Sequence, residues 1–436
     1  MSNSLIKPIL NSLFGKNFSY LIQVISLGVT ARLFEPSAFG VIATLLILVN
    51  LFNVIGEGGI GTALISKEYI TEQLRDCMFT ISFLLSLILS ILFFIIAPLL
   101  SKYFLVEYGS YVITILTVSI FLSMLSMIPI AIFRRDLKFL FISRIEVLAE
   151  ISSIGVTFIL WRVGFELEAI VSRYLTIGLI KFTILYYYSA YSTVGRPKLT
   201  YNIKSASEFL RVSGFQFLYS IVNYFSRTID NIVVGKYFDI STLGIYEKSY
   251  QLMRYPMMLI SIAISPAIQS VMSRNRNDIE KFSTIHKNIE IKLLVYGGAV
   301  SIVFSIMSKQ IVALILGDGW EAVSELLSIF SIAIPFLMCQ GISGGFFQAL
   351  ERTDILFVTG VISITLNLIA ITLSIYQGDL NILAGYLSIS FIFTYIITHL
   401  IFFIFLYKCF DLKHSIKLFF LSVALIAFHM LLTPII

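Results

Sequence analysis

Along two otherwise apolar stretches of the chain, polar residues recur at alternating intervals of four and three. Ser12, Lys16, Ser19, Gln23, Ser26 and Thr30 follow that spacing, which places them on one face of an α-helix. Ser213, Gln216, Ser220, Asn223, Arg227 and Asp230 follow it again. Adding 204 to positions 12, 16, 19, 23 and 26 gives 216, 220, 223, 227 and 230, so the two registers coincide. Just beyond, the run from Leu33 to Val41, which contains Phe34, Ser37 and Gly40, aligns at the same offset with the run from Tyr237 to Ile245, which contains Phe238, Ser241 and Gly244. The pattern predicts a duplicated chain in which each copy carries one polar helical wall.

Uncharged runs over 77–101, 108–133, 326–350, 355–378 and 380–407 each meet the roughly 20 residues that a helix needs to cross a bilayer. Less clean spans fill the gaps, giving spans near 12–34, 38–64, 77–99, 111–133, 145–161, 169–190, 208–234, 242–272, 291–315, 323–350, 355–376 and 382–407, with a thirteenth over 416–435. Composition agrees, since 58% of residues are hydrophobic and 13% charged, against about 25% charged in a soluble protein. The expected fold is an all-α polytopic membrane protein of two six-helix repeats. Because six is even, both copies enter from the same side, which relates them by a pseudo-two-fold axis along the membrane normal. The domain reading is a first lobe over 1–195, a cytoplasmic link over 196–207, a second lobe over 208–408 and a C-terminal segment over 409–436. Endings with 12, 13 or part of 14 helices are all compatible with this pattern.

Basic residues set the orientation, because Lys and Arg collect in cytoplasmic loops. With the N-terminus inside, 21 of the 31 Lys and Arg residues fall on inner segments and 7 on outer ones, leaving Lys181, Lys248 and Arg254 within spans. The net charge of +6 is thereby absorbed by topology, and a nucleic-acid partner is not expected. Cys77, Cys339 and Cys409 are scattered, as are His286, His399, His414 and His429, so no disulfide or metal spacing arises. The N-terminus lacks the short apolar core and cleavage site of a secretory signal, so the first span is expected to persist. The longest hydrophilic segment, about Ser273 to Glu290, reads as a cytoplasmic loop, too short for a catalytic domain. Gly56-Glu57-Gly58-Gly59-Ile60-Gly61 follows no strand and reads as close helix packing rather than a phosphate loop.

Ala31-Arg32-Leu33-Phe34-Glu35-Pro36-Ser37-Ala38-Phe39-Gly40 and Gly59-Ile60-Gly61-Thr62-Ala63-Leu64-Ile65 resemble the opening of the Wzx-type polysaccharide flippases. The second copy resembles them too, in Asp230-Asn231-Ile232-Val233-Val234-Gly235-Lys236, Leu243-Gly244-Ile245-Tyr246, Tyr250 and Pro256. These are exporters of lipopolysaccharide and exopolysaccharide precursors within the multidrug/oligosaccharidyl-lipid/polysaccharide superfamily. The resemblance implies two lobes around a central cavity lined by the first, second, seventh and eighth spans. It also implies a substrate, an undecaprenyl-pyrophosphate-linked oligosaccharide carried to the outer leaflet of a bacterial inner membrane, and as partners a polysaccharide polymerase and chain-length machinery.

A pyrophosphate and a sugar ask for a cavity that is wet and cationic. An ionised group at mid-membrane costs at least about 2.5 kcal/mol, so it faces a cavity or a partner. Arg254 lies midway along the eighth span, where Glu247, Gln251, Arg254, Ser261 and Ser265 share a face; at the 204 offset Asn50 matches Arg254 and Glu57 matches Ser261. Candidate substrate-binding residues are Lys16, Ser19, Gln23, Asn50, Arg211, Asn223, Arg227, Lys248, Gln251 and Arg254. Several have blander alternatives. Lys16 can snorkel to the interface, Arg227 and Asp230 can neutralise each other, and Arg254 can sit in an internal ion pair. Lys181 is expected to pair with Glu146 or Glu150. Tyr20, Tyr219, Tyr224 and Tyr250 adjoin the polar faces and can stack on sugars or simply pack.

The expected function is a lipid-linked oligosaccharide flippase working by alternating access, with no covalent chemistry, no catalytic residue, no metal and no organic cofactor. Glu57 and Asp230 are the candidates for coupling to H⁺ or Na⁺. Two alternatives stand beside it: a cation-coupled multidrug exporter, which would carry unpaired acids in its cavity, and an integral-membrane polymerase, which would lengthen the glycan.

Overall fold

The computed structural model describes residues 3–57, 70–201, 220–273, 278–350, 352–406 and 412–432. They are helical, with no strand among the described residues. In the first half the helices are α1 (Asn3–Leu33), α2 (Pro36–Glu57), α3 (Glu72–Phe104), α4 (Ser110–Leu125), α5 (Met127–Arg135), α6 (Phe139–Arg162) and α7 (Leu167–Tyr188). Residues 220–226 are helical. Beyond them run α8 (Ile229–Tyr237), α9 (Ile240–Met257), α10 (Ala263–Ser273), α11 (Ile279–Ile306), α12 (Ser308–Ile315), α13 (Glu321–Phe330), α14 (Ile334–Ala349), α15 (Thr353–Ile375), α16 (Leu380–Ile401) and α17 (Leu412–Leu432). Among the described residues, eight helices are long and apolar enough to cross a membrane. The first, fifth, seventh, eighth and thirteenth expected spans are not among them; much of the seventh lies outside the described residues, and the first, fifth and eighth carry polar stripes or charges. The chain is an all-α, multi-pass membrane protein.

The duplicated motif after each stripe is a helix-starting device. Pro36 opens α2, where its missing N–H costs nothing. At the matching place Asp239 caps α9, accepting from the backbone N–H of Thr242 at 2.8 Å and from its hydroxyl at 2.6 Å. The Thr242 hydroxyl is the main cause holding the Asp239 carboxyl below its ordinary range. Such a cap adds about 1 kcal/mol of helix stability, and this one is present above the usual carboxylate range and fades as pH falls through the lowered value.

Packing divides the chain into two compact units, Met1–Tyr224 and Phe225–Ile436. In the first, α1 packs along α6, α6 along α7, and α4 along both α3 and α7. The described part of the expected link, and the residues just before it, lie on this unit. The Lys198 N–H donates to Asp76 at 2.9 Å, the Thr200 N–H to the Thr80 hydroxyl at 2.9 Å, and the Thr193 N–H to Asp136 at 3.1 Å. Buried Arg75 donates to the Val194 carbonyl.

In the second unit α14 is central, packed against α10, α11 and α16. Small residues let the helices meet closely. A Cβ on Gly345 would stand 2.6 Å from the Ser265 carbonyl oxygen, and one on Gly297 would stand 2.6 Å from the Pro335 Cα. Gly345→Ala must therefore push α10 off α14. The expected cost is about 1–3 kcal/mol, read as a lower melting midpoint and lower abundance in membranes, and an unchanged midpoint would mean the helices part freely. A polar seam joins Ser226, α15 and α16: the Asn367 amide donates to the Ser226 carbonyl at 2.9 Å and the Ser390 hydroxyl to the Asn367 side-chain oxygen at 2.6 Å.

Three expectations change. The seventh span is broken, with a turn at Arg227 and Thr228 between residues 220–226 and α8. The eighth contains a π-helical stretch, Met258–Ile262, beginning two residues after Pro256. Its wider turn slips the helical phase, so Ser261 and Ser265 pack on Gly341 and Gly345 of α14 rather than sharing a face with Arg254. The ninth span starts at Ile279, capped by Asp278, and ends at Ile306, with 308–315 a separate short helix. Ser273 to Glu290 is therefore mostly helix, and Glu290 is buried.

Candidate functional site

Helix α1 brings Lys16, Ser19 and Gln23 to one face, but to different depths. Ser19 is buried and donates to the Gly15 carbonyl at 3.1 Å, and Thr30 is buried and donates to the Ser26 carbonyl at 2.9 Å. Gly15 and Ser19 belong to the side of α1 that meets α6, where Ser143 packs on Gly15. Lys16 and Gln23 are half-buried. The charged neighbours of Lys16 are Arg134 of α5 and Glu146 of α6. Glu146 also meets Lys181 of α7 at 3.9 Å, and Arg173 of α7 pairs with Glu150. The expected partner of Lys181 is thus found, and Lys16 and Lys181 both neighbour the Glu146 carboxylate. On α2, Asn50 is exposed within its unit. The side chain of Glu57 and all of Arg211 lie outside the described residues.

Two further polar groups belong to this unit. The side-chain oxygens of Asn17, beside Lys16, and Asn53, one turn after Asn50, are buried with no hydrogen-bond partner among the described residues. Asn223 is half-buried, and Tyr224 is buried and donates to the Ile47 carbonyl. Tyr224 is therefore a packing residue in this structure, and Tyr219 lies outside the described residues.

In the second unit a ladder of side chains climbs α9. Asp230 of α8 is buried and accepts from the Tyr246 hydroxyl at 2.6 Å and from the Asn231 N–H at 2.9 Å. The ring of Tyr246 stacks on Tyr250 with centroids 6.1 Å apart, and the guanidinium of Arg254 lies 5.7 Å from the centre of the Tyr250 ring. Arg254 is half-buried, exerts its charge on Asp230 from beyond ion-pair distance, and pairs with no carboxylate among the described residues. Arg227, exposed at the turn, likewise exerts its charge on Tyr250. Lys248 is buried; it meets Glu247 at 2.6 Å and donates to Gln251 at 3.2 Å, while the Gln251 amide donates to the Tyr255 hydroxyl at 3.2 Å. Lys248 and Gln251 thus hold each other, and Arg254 stands one turn on with an aromatic ring as its support. Such a guanidinium keeps its forked donors for a planar or tetrahedral anion.

Among the described residues no group of three His, Cys, Asp or Glu side chains could hold a metal ion. One cluster carries no periodic signal in the sequence: Glu290, Tyr395 and His399 meet inside the second unit.

The family model described as polysaccharide biosynthesis protein matches residues 29–325. The chain is similar to the teichuronic acid biosynthesis protein TuaB of Bacillus subtilis strain 168, 20% identical over 305 residues, spanning 70% of this chain and 62% of TuaB, less than two thirds of its length. It is similar to the lipopolysaccharide biosynthesis protein WzxC of Escherichia coli strain K12, 20% identical over 87% of this chain and 78% of that one. Among solved structures it resembles the lipid II flippase MurJ in an inward closed conformation, with a TM-score of 0.76 and 18% identity, over 97% of this chain and 92% of that one. At that identity the likeness is one of fold.

Proposed function

The chain belongs to the polysaccharide biosynthesis protein family, and from that premise we propose that it is a flippase for a lipid-linked oligosaccharide. The lipid tail stays in the bilayer while the headgroup is carried across by alternating access, contacted by polar residues of α1 and α2 in the first unit and of α9 in the second. The carrier is undecaprenyl pyrophosphate, the membrane is a bacterial inner membrane with the N-terminus cytoplasmic, and the delivered unit feeds a polymerase. The lobes are 1–195 and 208–408, linked by 196–207.

One observation carries the reading: among the described residues the acids of α6, α8 and α9 are already held, and Arg254 meets no carboxylate. Glu146 meets Lys181, Glu150 meets Arg173, Glu247 meets Lys248 and Asp230 accepts from Tyr246, whereas Arg254 rests on Tyr250. A carrier of cationic drugs needs the opposite balance, with acids left for the ligand. Lys16 of the first unit and Arg254 of the second contact the pyrophosphate. Gln23, Asn50, Asn223, Arg227 and Gln251 contact the headgroup, and Ser19 shapes α1 from behind. Cells lacking the protein are expected to accumulate single lipid-linked repeat units on the cytoplasmic face. Units that still reach the outer face at the normal rate would contradict the proposal.

The water path has its own test. Cysteines replacing Gln23 and Asn50 are expected to react with a small aqueous maleimide, while one replacing Ser26, which is fully buried, is not. If Gln23→Cys and Asn50→Cys resist while Ile25→Cys, on a face exposed in the structure, reacts, the polar faces do not line a wet path.

A further inference from the structure

Glu290 of α11 is 2% exposed, yet it is ringed by groups that can move a proton. Its Oε1 lies 2.8 Å from Nδ1 of His399 and accepts from the Tyr395 hydroxyl at 3.0 Å, both on α16. The thiol of Cys339 on α14 lies 3.7 Å from the Glu290 backbone carbonyl. One turn back on α11, His286 is buried with its ring 4.6 Å from that of Phe346 and 4.3 Å from that of Phe402. The three helices belong to one unit, and the cluster shares no residue with the faces assigned to the headgroup.

Count the protons on the Glu290–His399 pair. With one, carried on the imidazole and shared with the carboxylate, the pair has a net charge of −1. With two, carboxylate beside imidazolium, it is neutral. A net charge sealed among apolar helices is costly, whereas a neutral hydrogen-bonded pair is tolerated. Gaining a proton therefore favours the closed seam between α11 and α16, and losing it favours a seam that opens to water. Tyr395 donates to the carboxylate in either state.

We propose that Glu290, His399 and Tyr395 form a proton-binding site whose loading and release accompany the transport cycle. The role in transport rests on the flippase reading; the binding of the proton does not. A proton suits the site better than a metal ion, because Glu290 and His399 meet through a single oxygen that Tyr395 also occupies. The other ionisable groups do not displace this assignment. On α11, Lys287 turns to the Phe403 ring at 5.4 Å and Lys292 is exposed. Cys339 is the ionisable residue of α14, and Tyr386 lies at the other end of α16. Lys309, Glu321 and Glu325, exposed on α12 and α13, follow the far end of α11. On α17, Lys417 is exposed and His429 is buried.

The test uses the full chain in two settings. In purified protein with isotope-labelled histidine, the His399 resonance, assigned by its loss in His399→Gln, is followed from about pH 5 to about pH 9. It is expected to titrate, with its midpoint moved in Glu290→Gln. Tyr395→Phe keeps the pair and is expected to move the midpoint by less. In vesicles, a pH gradient is expected to speed leaflet exchange of a lipid-linked oligosaccharide by the wild type and not by Glu290→Gln or His399→Gln. A His399 ring fixed in one protonation state across the range overturns the site, and a gradient response unchanged in both variants overturns its role. Titration with no leaflet exchange by the wild type upholds the site and overturns the flippase reading instead.

Discussion

Arg254→Ala is expected to lower glycan export by about tenfold to a hundredfold while the protein stays inserted at wild-type abundance. The magnitude is that of one lost hydrogen-bonded contact to a charged group, about 1.5–3 kcal/mol, with each 1.4 kcal/mol worth a factor of ten. Abundance should hold because the described partner of Arg254 is the Tyr250 ring, and such a contact is worth about 0.5–2 kcal/mol. No buried carboxylate among the described residues loses an ion-pair partner. Arg254→Lys should rescue part of the export, since an ammonium keeps the charge and loses the fork. Normal export by Arg254→Ala would remove the pyrophosphate contact from the account. Loss of protein, rather than loss of export, would assign Arg254 to the fold.

The second large effect is expected at Asp230, where two substitutions should part company. Asp230→Ala leaves the fully buried Tyr246 hydroxyl without its acceptor, a penalty of about 1–3 kcal/mol, and should lower abundance and melting midpoint together. Asp230→Asn keeps a polar group beside Tyr246 and removes the charge that faces Arg254 along the ladder. It should therefore leave the midpoint near the wild type and slow transport. Full transport by Asp230→Asn would make Asp230 a strut for α8 and α9 alone, and would leave Glu290 and His399 as the ionisable pair through which a proton can act.

The membrane-spanning fold was the most legible feature of the sequence, because the bilayer demands long apolar helices and the chain writes them in uncharged runs such as 77–101 and 380–407. The pairing of Lys181 with Glu146 was equally legible, since a lysine so deep in a span needs a nearby acid. The stripe on α1 was half legible. Periodicity places Ser19, Gln23, Ser26 and Thr30 on one face, but it cannot separate a hydroxyl that bonds its own helix, as Ser19 and Thr30 do, from an amide turned to water. The phase of the eighth span was lost at Met258–Ile262, where the π-helical stretch detaches Ser261 and Ser265 from the Arg254 face; Pro256, two residues earlier, was the available warning. Glu290 was missed because Asp278, Glu280, Lys281 and Lys287 make its neighbourhood look like a loop. The start of α11 was nonetheless written there, in the cap that Asp278 makes to the Lys281 N–H at 3.0 Å.

The central claim concerns the movement of a headgroup across a bilayer, and one reconstitution tests it most directly. Purified protein is placed in vesicles with a lipid-linked oligosaccharide bearing a fluorescent sugar, and the label on the outer leaflet is quenched by a reagent that cannot cross. The account predicts that the protein raises the quenchable fraction over time, that the glycan keeps its length, and that Arg254→Ala stays near the protein-free rate. A quenchable fraction no different from protein-free vesicles, or a glycan that grows longer, would contradict it.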